Sequence, residues 1–249
     1  MNKKYNLTTA KLPGLAISAL LAVASIPAAY GEQDGGISLG STRVIYTEKS
    51  PGATVRVINT SKSAYLIQSW IDNFRGEGGW EKEATLPVGV FVVTPPLFRL
   101  DTGENNILIR RAGGNLPADR ESVFSLSVKL VPQSGKPAPE SNYVQFAFAN
   151  TIKLFWRPKG LKGEPSEAYK LLTFRRKSDL LEAVNPTEYH ITIKTLKIGG
   201  VNVDNPDYRM VPPKGTQTWK IPDSANGIVT YTTINDFGGI TPPVTSPLQ

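Results

Sequence analysis

The sequence contains no cysteine and a single histidine, His190, among 249 residues. The first absence excludes disulfides, thiolate nucleophiles, cysteine-based zinc sites and iron–sulfur clusters. The second excludes any site that needs two imidazoles. No uninterrupted apolar run reaches the roughly 18 residues that a membrane-spanning helix requires, so no membrane span is expected. Phosphate-cradling glycine loops, a GxSxG elbow and an HExxH pair are also missing, which leaves no recognisable catalytic set. The carboxylate pairs Asp119 with Glu121 and Glu81 with Glu83 have period-two spacing and are expected to be exposed charge. His190, in the alternating stretch Glu188-Tyr189-His190-Ile191-Thr192-Ile193, is expected at a solvent-facing strand position. The chain is therefore not expected to be an enzyme.

What the sequence does have begins at its N-terminus. Lys3, Lys4 and Lys11 form a positive segment, Leu15 to Ile26 an apolar run, and Ala29-Tyr30-Gly31 a small-x-small cleavage site. Residues 1–31 thus read as a secretory signal peptide cut near Gly31. The net charge of +7 includes those three lysines. The remaining Lys and Arg are scattered rather than clustered with aromatics, so no nucleic-acid partner is expected.

Beyond the leader, short alternating runs rich in β-branched and aromatic residues are separated by turn residues. Thr54 to Ile58, Tyr65 to Asp72, Val123 to Leu130, Tyr143 to Trp156 and His190 to Ile198 read as strands. Between them stand Ser50-Pro51-Gly52, Gly76 to Gly79, Gly113-Gly114, Ser134 to Pro139 and Gly199-Gly200. The pattern predicts an all-β chain of two sandwiches. Two prolines, two glycines and four charges between Arg157 and Pro165 mark the junction. This divides the chain into an N-terminal domain at 32–158, a linker at 159–165 and a C-terminal domain at 166–249. The Pro-rich tail from Pro242 to Gln249 is expected to fray.

The run from Asn142 to Pro158 carries Val144, Phe146 and Phe148 on one side and Gln145, Ala147 and Ala149 on the other. Two readings fit this alternation: an ordinary core strand, or an exposed edge strand that pairs with a partner's backbone.

The motifs TRVIY (42–46), YLIQSWID (65–72), VTPPLFRL (93–100), LPADRESVF (116–124) and IKLFWRP (152–158) occur in this order. In the second half stand NPTEYHITI (185–193), MVPPKG (210–215) and TTINDFGG (232–239). Together they resemble the periplasmic pilus (fimbrial) assembly chaperones of the chaperone–usher pathway, across nearly the whole chain after the leader. Ser125 stands where that family usually has Trp, Gln133 where Pro is frequent, and Glu188 and His190 depart from a Pro/Tyr-rich pattern. The short loop around Ser134 to Pro139 is similar to the branch that serves rod-like pili.

The resemblance implies two immunoglobulin-like β-sandwich domains in an L, or boomerang, with the binding cleft between them. It implies periplasmic chaperones that bind pilin subunits, donate an edge strand to complete them, prevent aggregation and deliver them to an outer-membrane usher for pilus assembly. By resemblance, Val144, Phe146 and Phe148 are the donated side chains, and Arg43 with Lys153 holds the subunit's terminal carboxylate. Glu121, Arg157 and Asp236 match a charge cluster that bridges the domains. Neither ATP, a metal nor another cofactor is implied, and the free protein has an apolar edge through which it could self-associate. Because Phe148 and Lys153 have opposite parity, a bulge or twist near Asn150 and Thr151 is expected if both serve one client. The rival reading is a secreted two-domain immunoglobulin-like adhesion or carbohydrate-binding protein, which would use loop aromatics such as Trp80.

Overall fold

The computed structural model describes residues 35–74, 86–87, 89–133, 146–205 and 209–249. The leader at 1–31, Trp80, Glu81, Glu83, the Gly76–Gly79 and Ser134–Pro139 turns and Val144 lie outside the described residues.

Two β-sandwiches follow one another along the chain. In the first, one sheet has the order β1 (Ile37–Leu39), β3 (Ala53–Asn59), β7 (Gly103–Arg111), β5 (Phe91–Thr94). It faces a five-stranded sheet of β2 (Arg43–Thr47), β9 (Phe148–Arg157), β8 (Ser122–Pro132), β4 (Tyr65–Asn73) and β6 (Leu97–Leu100). Alternation explains the packing, since successive side chains on a strand point to opposite faces. Val55 and Val57 on β3, Ile107 and Ile109 on β7, and Leu126 and Val128 on β8 all enter one buried core.

In the second sandwich, β10 (Thr173–Lys177), β11 (Leu180–Asn185) and β15 (Gly215–Lys220) form one sheet. The other runs β13 (Val201–Asn202), β12 (Ile191–Ile198), β16 (Val229–Ile234), β17 (Val244–Ser246), with β14 (Met210–Val211) also on β12. Its separate core gathers around Phe174, Leu181, Ile193, Trp219 and Tyr231. The two halves use the same local device at a strand end. Buried Asn59 accepts from the Ser61 backbone N–H at 2.9 Å and donates to the Ser63 carbonyl at 2.8 Å. Buried Asn185 accepts from the Thr187 N–H at 3.0 Å and donates to the Tyr189 carbonyl at 2.8 Å. In each case one amide side chain satisfies backbone groups that the turn leaves without ladder partners.

The tail does not fray, contrary to its composition. β17 pairs with β16, Leu248 bridges Phe174, and the Gln249 N–H donates to the Phe174 carbonyl at 3.0 Å. Leu248 also packs against the second core, so apolar burial outweighs the loss of donors at the prolines.

The segment between the sandwiches is held from both sides. The Lys159 N–H donates to the Glu48 carboxylate at 2.9 Å, and the Lys162 N–H to the Glu188 carboxylate at 2.6 Å. Gly160 and Gly163 have φ of +79° and +75°, a backbone region that glycine enters without the steric penalty of a side chain.

Candidate functional site

Strand β9 changes its surroundings halfway along. From Lys153 to Trp156 it lies between β8 and β2, and its parallel ladder with β2 runs from Arg43 opposite Lys153 to Thr47 opposite Arg157. From Phe148 to Ile152 it pairs, among the described residues, with β8 alone, and no described strand covers its other edge. Phe148, in this stretch, and Phe146, two residues earlier, are each 67% exposed.

The expected bulge is absent. Register runs without a shift from Phe148 opposite Leu130 to Trp156 opposite Ser122, through Asn150 and Thr151. The Thr151 and Ser127 hydroxyls meet at 3.0 Å across this straight ladder. The strand therefore keeps its two faces distinct. Ile152, Leu154 and Trp156 belong to the sandwich core, and Phe148 continues their face. Phe155 turns the other way, into a small apolar cluster with Val123 and with Met210 of the second sandwich. Lys153 shares that second face. The parity argument failed because it placed the apolar and cationic groups on one face, whereas a straight strand offers them on two. The only register shift in the β12–β16 pairing, between Ile193 and Thr195, is in the second sandwich.

Arg43 and Lys153 are brought side by side by the β2–β9 ladder. Val44 and Tyr46 enter the core, which turns Arg43 and Ile45 toward the second sandwich. The Arg43 guanidinium donates to the Ile234 carbonyl at 3.3 Å and lies 5.7 Å from the Phe155 ring centroid. Its Nε is buried and has no hydrogen-bond acceptor among the described residues. Burial pulls its pKa below the ordinary arginine value, while Asp236 and Glu121 oppose that shift. Lys153 Nζ lies 5.3 Å from the Phe74 ring centroid. Ser125 is the register partner of Lys153 on β8, and its small side chain leaves that position uncrowded.

Beside this pair, Arg157 joins the sandwiches. Its Nε donates to Glu121 at 2.7 Å, and its two terminal nitrogens donate to the Asp236 carboxylate at 2.8 and 3.1 Å. Such a planar fork on a carboxylate fixes geometry as well as charge. The guanidinium also lies 5.2 Å from the Tyr189 ring centroid. Burial would lower the Arg157 pKa, but the Asp236 and Glu121 carboxylates raise it overall. All three residues named for the cluster are thus in one network.

Two sequence expectations fail there. The Glu121 side chain is only 2% exposed, and the His190 side chain 3%. Glu121 accepts from the His190 backbone N–H at 2.8 Å, and its carboxylate lies 3.4 Å from His190 Nδ1. Burial pushes the Glu121 pKa up, yet hydrogen bonding to His190 and the charge of Arg157 bring it below the ordinary value. His190 immediately precedes β12, so strand alternation does not govern it; Glu121 and Phe155 of the first sandwich cover it. Asp119, by contrast, is exposed and held at about 2 by hydrogen bonds from Arg120 and Lys214. Lys214, which sequence reading gave no role, spans the sandwiches by reaching Asp119 at 3.0 Å and Glu188 at 3.2 Å.

These groups surround a cavity of about 270 Å³ lined by Arg43, Phe155, His190 and Asp236 and by the loop carrying Phe237. Among the described residues no cluster of three or more acidic or histidine side chains could hold a metal ion. No described helix is long and apolar enough to cross a membrane.

Comparison with known proteins agrees with this arrangement. Residues 36–162 match the family model of the pili and flagellar-assembly chaperone PapD N-terminal domain, and residues 167–245 that of the pili assembly chaperone PapD C-terminal domain. The chain is 42% identical over 223 residues to the chaperone protein FocC of Escherichia coli, covering 88% of this chain and 91% of that one. It is 36% identical to the E. coli chaperone protein FimC, covering 100% of this chain and 97% of that one. Among solved structures, the SafA pilin in complex with the SafB chaperone from Salmonella enterica matches with a TM-score of 0.74 and 30% identity, over 86% of this chain and 97% of that one. A chain matched in both domains and in the order of its motifs, with two sandwiches joined at a buried charge network, belongs to the pilus-assembly chaperones.

Proposed function

We propose that this chaperone captures pilin subunits by adding the open edge of β9 to an unfinished subunit sandwich. The observation that carries this reading is the half-covered strand. Residues 148–152 offer a ladder edge that no described strand covers, with Phe146 and Phe148 exposed, and the strand continues directly into the paired Arg43 and Lys153. Strand addition supplies affinity through main-chain hydrogen bonds and specificity through alternate side chains. Val144 would extend the same face by sequence spacing.

Arg43 and Lys153 would hold the subunit's terminal carboxylate. Arg43 supplies a planar fork and Lys153 a mobile point charge, so the two can serve both carboxylate oxygens. A fixed anchor sets register, since a slip of one residue would turn every donated side chain away from the subunit's groove. The Glu121–Arg157–Asp236 network holds the two sandwiches at the angle the cleft requires. The work is binding rather than bond-making, with neither cofactor nor metal. It takes place in the periplasm after removal of the leader at residues 1–31, and it ends in transfer of the subunit to an outer-membrane usher. Without a client, the exposed edge provides a surface for self-association.

Co-expression with candidate pilins tests the reading. Wild type is expected to protect and copurify its client, and Arg43→Ala and Lys153→Ala each to lose it. A charge-assisted hydrogen bond contributes about 1.5–3 kcal/mol, so each loss corresponds to roughly 10- to 150-fold in affinity. Undiminished protection by both variants would remove the anchor from the mechanism.

A further inference from the structure

The cavity beside Arg43 has a composition that a carboxylate anchor alone does not require. Phe155 of the first sandwich and Tyr169, Ile191 and Ile240 of the second give it an apolar side beside the charged groups of Arg43, Glu121 and Asp236. Its volume of about 270 Å³ compares with about 30 Å³ for a water molecule, so it has room for a side chain.

At its rim stands Phe237, which is 96% exposed. An isolated exposed aromatic would be unremarkable on a protein surface. This one is displayed by a built loop. The Asn235 side-chain oxygen accepts from the backbone N–H groups of Phe237 at 3.0 Å and Gly239 at 2.9 Å, and the Asn235 N–H donates to the Gly239 carbonyl at 2.9 Å. Gly238, at φ +83°, lies so close to Thr42 that an added Cβ would fall 2.3 Å from the threonine hydroxyl oxygen. The loop of the second sandwich is thereby seated against the residue next to Arg43, and the backbone that carries Phe237 is held in place before any ligand arrives. Preorganisation of this kind lowers the ordering cost of binding.

Charge favours one occupant. Arg157 is already engaged by Glu121 and Asp236, while the Arg43 guanidinium lines the same cavity with a backbone carbonyl, that of Ile234, as its hydrogen-bond partner rather than a carboxylate among the described residues. An incoming carboxylate gives that guanidinium a charged partner, and a side chain attached to the same terminal residue is within reach of the cavity. Resting on the anchor reading above, we propose that the cleft also reads the identity of the pilin's C-terminal residue. Its carboxylate lies on Arg43, and an apolar or aromatic side chain fills the cavity against Phe155 and Ile240, with Phe237 packing on it from the rim. An acidic terminal residue is disfavoured, because Glu121 and Asp236 already place two carboxylates at the cavity wall.

The test uses the full two-sandwich chain and the C-terminal peptide of a candidate pilin, made with Phe, Gly or Asp as its last residue, and with Phe as the C-terminal amide. Fluorescence titration is expected to show the Phe-ended acid binding at least about tenfold more tightly than the Gly-ended acid, with the Asp-ended acid weakest. Phe237→Ser should lower the Phe-to-Gly ratio several-fold, leaving the part supplied by Phe155 and Ile240, with the Gly-ended affinity as it was. Equal binding of Phe- and Gly-ended acids, with the amide still weaker, would overturn the side-chain readout and leave the anchor standing. Equal loss of both acids in Phe237→Ser would also overturn it. An amide that binds as well as the acid would overturn the anchor, and this proposal with it.

Discussion

Replacing Phe146 and Phe148 together by serine is expected to lower affinity for a pilin subunit by a factor on the order of 10² to 10⁴, while leaving the chaperone folded. Both side chains are 67% exposed in the free chain, so neither supports the sandwich core. Surface substitutions of this kind usually change stability by less than about 0.5 kcal/mol. In the complex the same rings would enter the subunit's core, and burial contributes about 1.5–3 kcal/mol per large side chain. Isothermal titration with a refolded pilin, together with a melting curve of the variant, separates the two effects. Unchanged affinity would mean that the apolar face is not donated, whatever else β9 does. The straight register of β9 strengthens this expectation, because Phe148 continues the face on which Ile152, Leu154 and Trp156 fill the chaperone's own core.

Arg157→Ala is expected to lower stability by about 3–5 kcal/mol, the usual cost of removing one partner from a buried ion pair. The substitution leaves Glu121, 2% exposed, without its guanidinium, and it severs the fork to Asp236. The loss falls at the junction of the sandwiches rather than within either core. Small-angle scattering should therefore show a changed or broadened arrangement of the two domains alongside the lower melting temperature. The network also predicts a direction with pH. The Glu121 pKa is held below its ordinary value by hydrogen bonding to His190 and the charge of Arg157, against the opposing effect of burial. Its ionised form therefore contributes stability above the ordinary carboxylate range, and this contribution is lost as pH falls through the lowered folded-state value. Arg157→Ala should flatten that part of the acid limb. Wild-type melting and scattering in the variant would show that the network does not hold the hinge.

Much of this molecule was legible before its fold was described. Alternation placed β3 and β4 to within one or two residues because each has one buried and one outer face, whereas β8 and the start of β12, covered on both faces, stood out by their runs of β-branched and aromatic residues. The order of the motifs pointed to the family and to Arg43 and Lys153, residues more than a hundred positions apart that the parallel β2–β9 ladder makes neighbours. What failed depended on tertiary contacts. His190 sits in an alternating string but is covered by groups of the other sandwich, and no local pattern records that. Glu121 looked like surface charge beside Asp119; one is now buried against Arg157 and His190, while the other remains exposed on Lys214. The prolines of the tail predict fraying, yet Leu248 and Gln249 reach back to β10. The expected bulge came from requiring one client to meet one face, a condition the sequence itself did not impose.

The most direct test of strand addition is amide hydrogen exchange along β9, measured with and without a bound pilin. Among the described residues, the uncovered edge spans 148–152, whereas 153–156 already lie between two neighbouring strands and 157 pairs with β2. Strand addition predicts that outward-pointing amides within 148–152 exchange quickly in the free chaperone and become strongly protected in the complex, with little change in 153–157. Unchanged exchange across 148–152 in a saturated complex would contradict it.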